Sequence, residues 1–72
     1  MDSIFISPVE VLARHFNGKQ KAAIAIGCSP SAISHWINRH GGYIPDTRII
    51  RHIASVVPEI PLEHLIHGVR CP

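Results

Sequence analysis

Two Ser-Pro pairs and a set of glycine stops divide this chain into segments too short for anything but small helices. In Ser7-Pro8-Val9-Glu10 the serine hydroxyl suits the first-turn amides, and Glu10 can reach back to the Ser7 amide. Pro8 stands where a helix needs no N–H, so the four residues read as a capping box. Ile6 and Val11 flank it at the spacing of a hydrophobic staple. The first helix is predicted over about 8–16, with Val9, Leu12, Ala13 and Phe16 inward, and Asn17-Gly18 stops it. The second runs over about 19–26 with Ala22, Ala23 and Ile26 inward, and Gly27 ends it. Ser29 caps a third, about 30–39, again with proline first. Ile33, Trp36 and Ile37 fall on one apolar stripe, while Ser31, Ser34, His35 and Asn38 fall opposite. After Gly41-Gly42-Tyr43 a fourth helix is expected from near Pro45 to about 56, with Ile49, Ile50, Ile53, Ala54 and Val57 inward. Pro58 and Pro61 break it. A short fifth, about 61–67, would bury Leu62, Leu65 and Ile66 before Gly68. Residues 3–6 and 69–71 offer at most a short edge each, so the expected class is all-α.

At 72 residues, one domain over 1–72 is expected, with a core over about 7–68 and short flexible ends. An apolar content of 46% with a net charge of only +2 suits a packed core rather than a disordered chain. No apolar run approaches the ~20 residues that span a bilayer, and the start of the chain has no leader pattern. Cys28 and Cys71 make a poor disulfide framework and are read as reduced thiols, which with the missing leader leads to the expectation of a cytoplasmic, nucleoid-associated protein.

The charge is unevenly spread. The acids are Asp2, Glu10, Asp46, Glu59 and Glu63, so none lies between Glu10 and Asp46. That interval holds Arg14, Lys19, Lys21 and Arg39, with His15, His35 and His40. Such a tract is either a solvated basic surface or the footprint of a polyanion. Two helices joined by a short glycine turn, the second capped and polar outside, form a helix-turn-helix. In that geometry the first helix braces the second across the DNA backbone, and the second offers its N-terminal half to base edges in the major groove. Small serines allow close approach, and the helix N-terminus brings a positive dipole toward phosphate.

The segment "QKAAIAIGCSPSAISHWIN" resembles the helix-turn-helix of phage Cro and cI-type repressors, through the spacing of Ala23, Gly27, Ile33 and Trp36. "IPLEHLIHG" is similar to the short last helix of all-helical members, so the likeness spans about residues 8–68. The resemblance implies a compact five-helix, lambda-repressor-like domain and a homodimeric repressor on a palindromic double-stranded operator. Its base-reading positions fall on Pro30, Ser31, Ser34 and His35; at Pro30, Ser34 and His35 the family often carries glutamine, asparagine or lysine, and Pro30 has no side-chain donor. Its backbone position at the start of helix 2 falls on Lys19 or Gln20.

The remaining assignments come from the residues. Asn38 reads a base or caps the helix end. Lys21, Arg39 and His40 contact phosphates, and Ser29 touches one through its backbone while capping. Trp36 is core rather than a stacking platform. A dimer contact, weak in the free protein, is expected from Val56, Val57, Ile60, Leu62 and Val69. His64 and His67 share a helix face, but only Glu63 stands near, so no metal and no cofactor is expected. No Ser–His–Asp set or glycine-rich phosphate loop argues for an enzyme or a small-molecule ligand. The rival readings are an antitoxin-type protein that binds a toxin and regulates itself, and an excisionase or architectural factor. A toxin-binding surface needs an exposed apolar patch and has no use for an acid-free basic tract.

Overall fold

A computed structural model describes residues 4–71 of the chain, the last without its side chain. The elements run β1 (Ile4–Ile6), α1 (Pro8–His15), α2 (Lys19–Ile26), α3 (Pro30–His40), α4 (Thr47–Val56), α5 (Leu62–His67) and β2 (Val69–Cys71). The domain is small, compact and mostly helical, with five helices and one two-stranded sheet. Among the described residues no helix is long and apolar enough to cross a membrane.

Local chemistry explains most boundaries. Ser7 Oγ accepts from the Glu10 amide at 3.4 Å, and Ser29 Oγ accepts from the Ala32 amide at 3.2 Å. Each satisfies one of the amides that a helix start leaves without a partner. The first cap is only half of the expected box. The Glu10 carboxylate turns forward to Arg14, 3.3 Å away, instead of back to Ser7. Gly27 closes α2 at φ 78°, a left-handed conformation that a side chain would strain. The fourth helix begins at Thr47, later than the proline pattern suggested. Asp46 is its cap: Oδ1 accepts from the Arg48 amide at 2.8 Å. That bond holds the Asp46 carboxyl below its ordinary pKa, with the Arg48 side chain adding to the effect.

The core joins Val9 and Leu12 of α1, Ala22, Ala23 and Ile26 of α2, and Ile33 and Trp36 of α3. Ile50 and Ile53 of α4 and Leu65 of α5 complete it from the other side. Ala13, Phe16, Ile37, Ile49 and Ala54 are half-buried at its margin. Three loop residues also enter: Ile44, Val57 and Ile60. Two of these correct an expectation. Val57 is 1% exposed and Ile60 7%, so neither offers surface to a second copy. Both lie where the chain bends from α4 into α5, and a bend around a core points its apolar residues inward. The reverse holds for α5. Leu62 and Ile66, expected inside, are 50% and 41% exposed. The helix packs mainly on α1 and α4, and of its stripe only Leu65 is buried.

The chain is not strictly all-α. The segments expected to be loose ends pair antiparallel, with Ile4 opposite Cys71, Phe5 opposite Arg70 and Ile6 opposite Val69. Packing of α5 on α1 brings the two ends together. Gly68, at φ 76°, lets β2 turn back onto β1; a Cβ there would collide with the Ile6 carbonyl oxygen and crowd the Phe5 ring. Strands of three residues are too short for period-2 alternation to be read. Residues 1–3 and 72 lie outside the described residues, as does whatever flexibility was expected of them.

Trp36 is the largest side chain in the core and is 6% exposed. Replacing a buried aromatic with alanine costs about 3–5 kcal/mol, most of what a domain of this size holds. Trp36→Ala is therefore expected to be largely unfolded at 25 °C by circular dichroism, while Ser34→Ala on the opposite face melts like the parent. A small shift for Trp36→Ala is the result that contradicts this placement.

Candidate nucleic-acid interface

Two apolar residues fix which side of α3 faces out. Ile33 and Trp36 are buried, and Ile37 is half-buried beside them. Helical spacing then turns Ser31, Ser34, His35 and Asn38 to the opposite side, and all four are exposed. Pro30, at the helix start, is exposed as well, though it brings neither a donor nor an acceptor in its side chain. Ser29 is exposed with its hydroxyl occupied by the cap. Arg39 and His40 continue the exposed surface at the far end, where the His40 ring meets that of His35 edge-on at 5.4 Å.

The start of α2 forms the second part. Gly18 supplies no side-chain cap, and no acid stands in the first turn. The positive end of the helix dipole is left to solvent together with exposed Lys19, Gln20 and Lys21. Ion pairing divides the cations into two groups. Arg14 pairs with Glu10 at 3.3 Å and Arg48 with Asp46 at 3.4 Å, and His15 lies 4.0 Å from Glu59. Among the described residues Lys19, Lys21 and Arg39, and also Arg51 on α4 and Arg70 on β2, have no such partner.

A groove of about 810 Å³ lies between α1, the start of α2 and the end of α3. Glu10, Ala13 and Arg14 of α1, with Ser7 before it, Asn17 and Gly18, Lys19 of α2, and Ile37, Gly41 and Gly42 at the end of α3 line it. Of the residues expected to touch DNA, Lys19 alone stands in this groove, while Gln20, Lys21, Arg39 and His40 do not line it. Asn17 was not among the residues expected at the site, and Arg14 was expected only as part of the basic tract. What was missing was that three separate segments meet there.

The turn between α2 and α3 carries Cys28. Its amide donates to Ala23 O at 2.9 Å, and its side chain packs half-buried against the core. Burial pushes the thiol pKa up, against a smaller opposing pull from a backbone hydrogen bond. The thiol is free. The side chain of the other cysteine, Cys71, lies outside the described residues. His64 is half-buried and His67 exposed, and among the described residues no three metal-ligating side chains gather.

Of the apolar residues expected at a dimer contact, Val56 and Leu62 are exposed and Val69 is half-buried. Leu62 lines a second groove, about 280 Å³, with Thr47, Ile50, Arg51 and Ile66.

The Cys28 geometry has a chemical readout. Only the thiolate attacks an alkylating agent, so a raised pKa and partial burial both slow the reaction. With Cys71 replaced by serine, iodoacetamide at pH 8 should modify Cys28 several-fold more slowly in native protein than in urea. Equal rates are the outcome that would show an open turn.

Comparisons with protein-family models, with curated proteins and with solved structures found no match to this chain.

Proposed function

We propose that this protein is a sequence-specific, double-stranded-DNA-binding transcriptional regulator of the phage Cro type, with α2 and α3 as its helix-turn-helix. In this reading α3 lies in the major groove and α2 crosses the backbone above it. The observation that carries it is an outward face of α3 made of Ser31, Ser34, His35 and Asn38, flanked by three cations without ion-pair partners, Lys19, Lys21 and Arg39. Serine hydroxyls donate to or accept from base edges, and His35 donates to a guanine N7 or O6. Lys19, at the positive end of the α2 dipole, would meet a sugar–phosphate strand beside the groove, where Arg14 is already paired with Glu10.

One reading helix covers about four or five base pairs, so the regulator acts as a twofold dimer on an inverted repeat, half-site centres about 10 base pairs apart. The contact surface is revised to Val56, Leu62, Ile66 and Val69, since Val57 and Ile60 belong to the core. The same apolar surface favours one second reading, an antitoxin that presents it to a toxin. Salt separates the regulator from an antitoxin that works by toxin contact alone, because a toxin contact through that surface gives no affinity for random DNA.

Gel shifts with random duplex DNA should show affinity falling steeply with salt, by roughly 0.9 in log–log slope for each phosphate neutralised. Lys19→Ala should reduce that slope by about one for each subunit engaged and weaken all sequences alike. A flat salt response removes the DNA-binding reading altogether.

Base readout has its own test. His35→Ala is expected to relax preference at one or two base pairs by ~1–3 kcal/mol while random-DNA binding stays unchanged. Binding-site selection with both proteins measures this. Selected sites without a dyad, or the same sites recovered with equal strength by the variant, rule out the assigned reading face.

A further inference from the structure

A helix end leaves its last carbonyls without intrahelical donors, and α2 shows where each donor comes from. The Gly27 N–H donates to Ile24 O at 3.3 Å and the Cys28 N–H to Ala23 O at 2.9 Å, the paired bonds of a left-handed glycine cap. The carbonyl of Ile26, the last residue of α2, draws its donor from outside. His52 Nε2 lies 2.9 Å from it. A carbonyl oxygen only accepts, so Nε2 carries the hydrogen in this bond. His52 belongs to α4 and stands 26 residues away in sequence. Every other side-chain hydrogen bond among the described residues joins positions no more than 4 apart.

We propose that His52 is a positioning residue, which holds the end of α2 so that the turn at residues 27–29 launches α3 in one direction. The inference rests on the reading of α2 and α3 as the DNA-binding pair. Ala23, Ile26 and Ile33 pack these helices together, and apolar packing is not directional. A hydrogen bond is, since it weakens steeply when its angle opens. The donor also has a fixed base. Ile50 and Ile53 bury α4 in the core on either side of His52. The clamped carbonyl sits immediately before Gly27, and the first residue of α3 is Pro30. A small rotation at that point swings Ser34 and His35 farther than it moves the turn itself. Base-edge hydrogen bonds do not survive such a swing, whereas long lysine side chains follow a phosphate.

Two variants test this. His52→Ala removes the donor, and His52→Gln keeps an N–H group at similar reach. In free protein, amide hydrogen exchange at Gly27 and Cys28 should quicken about five- to tenfold in His52→Ala, the scale of one lost hydrogen bond. The Leu12 and Phe16 amides of α1 should keep their rates, and His52→Gln should restore the turn. On DNA, His52→Ala should lose about five- to tenfold in affinity for the selected operator, leave random duplex unchanged, and be rescued by His52→Gln. Turn amides as slow as in the parent overturn the proposal. So does a uniform quickening of all amides, an equal loss on operator and random DNA, or no rescue by glutamine. If the parent protein binds no duplex at all, the DNA-binding reading fails, and the exchange rates alone decide whether His52 holds the turn.

Discussion

The arrangement depends on α2 being thin. Ala22 and Ala23 are fully buried, and α2 touches α1, α3 and α4 together. A methyl group is the only side chain that lets one helix meet three neighbours without holding them apart. Interhelical distance follows the side chains at the contact, so two adjacent alanines bring α3 close enough for Ile33 and Trp36 to share one core with Leu12 and Ile53. A leucine at position 23 would have to displace backbone on several sides, since close-packed cores absorb added methylenes poorly. The outer side of α2 follows from the inner one: Lys19, Gln20, Lys21 and Ile24 are exposed because Ala22, Ala23 and Ile26 are not.

The same division of faces makes α3 available for work. A helix that spends Ile33 and Trp36 on the core is held without help from its outward residues. No hydrogen bond or ion pair inside the domain engages the side chains of Ser31, Ser34, His35 or Asn38 among the described residues. The acids matter by position more than by strength. Exposed pairs such as Glu10 with Arg14 contribute little to stability. They do, however, partner Arg14 in the last turn of α1 and Arg48 in the first turn of α4, and leave the α2 start and the α3 end positive.

Helices were legible in the sequence where a cap and a stripe agree. Ser7, Ser29 and Gly27 are backbone chemistry written in single residues, and α2 runs over the residues expected of it. The start of α4 was displaced because proline was taken as the first helical residue when Asp46 was the cap. A stripe gives phase but not depth. It put Leu62 and Ile66 on one side of α5 without showing that nothing covers them; it carried Val57 inward with α4, although that residue was also assigned to a dimer contact, and outside helices it gave no guide to Ile60. The exposed residues of α3 could be read for the same reason that its core residues could. The groove beside Lys19 could not, because α1, the Gly18 loop and the end of α3 converge only in space. His52 is a further case: a polar residue on a polar face gives no sign that it reaches Ile26 O.

Size ties the proposed readout to the surplus of apolar surface. A domain of 72 residues has little interior, and α5, with six residues, closes it on one side only. Leu62 and Ile66 are left over from a stripe that one copy cannot cover. In a monomer they would be a solubility liability. In the proposed regulator, reading DNA through one short helix, a second copy would resolve two difficulties together. It would cover the leftover residues and double the number of bases read. A patch of this extent would bury too little to offset much of the entropy lost on association, so the proposed dimer would be weak when free. Two half-sites on one face of the duplex would supply the rest by holding the subunits at high local concentration. Occupancy would then depend on the operator as much as on protein concentration, and a single half-site would gain none of that advantage.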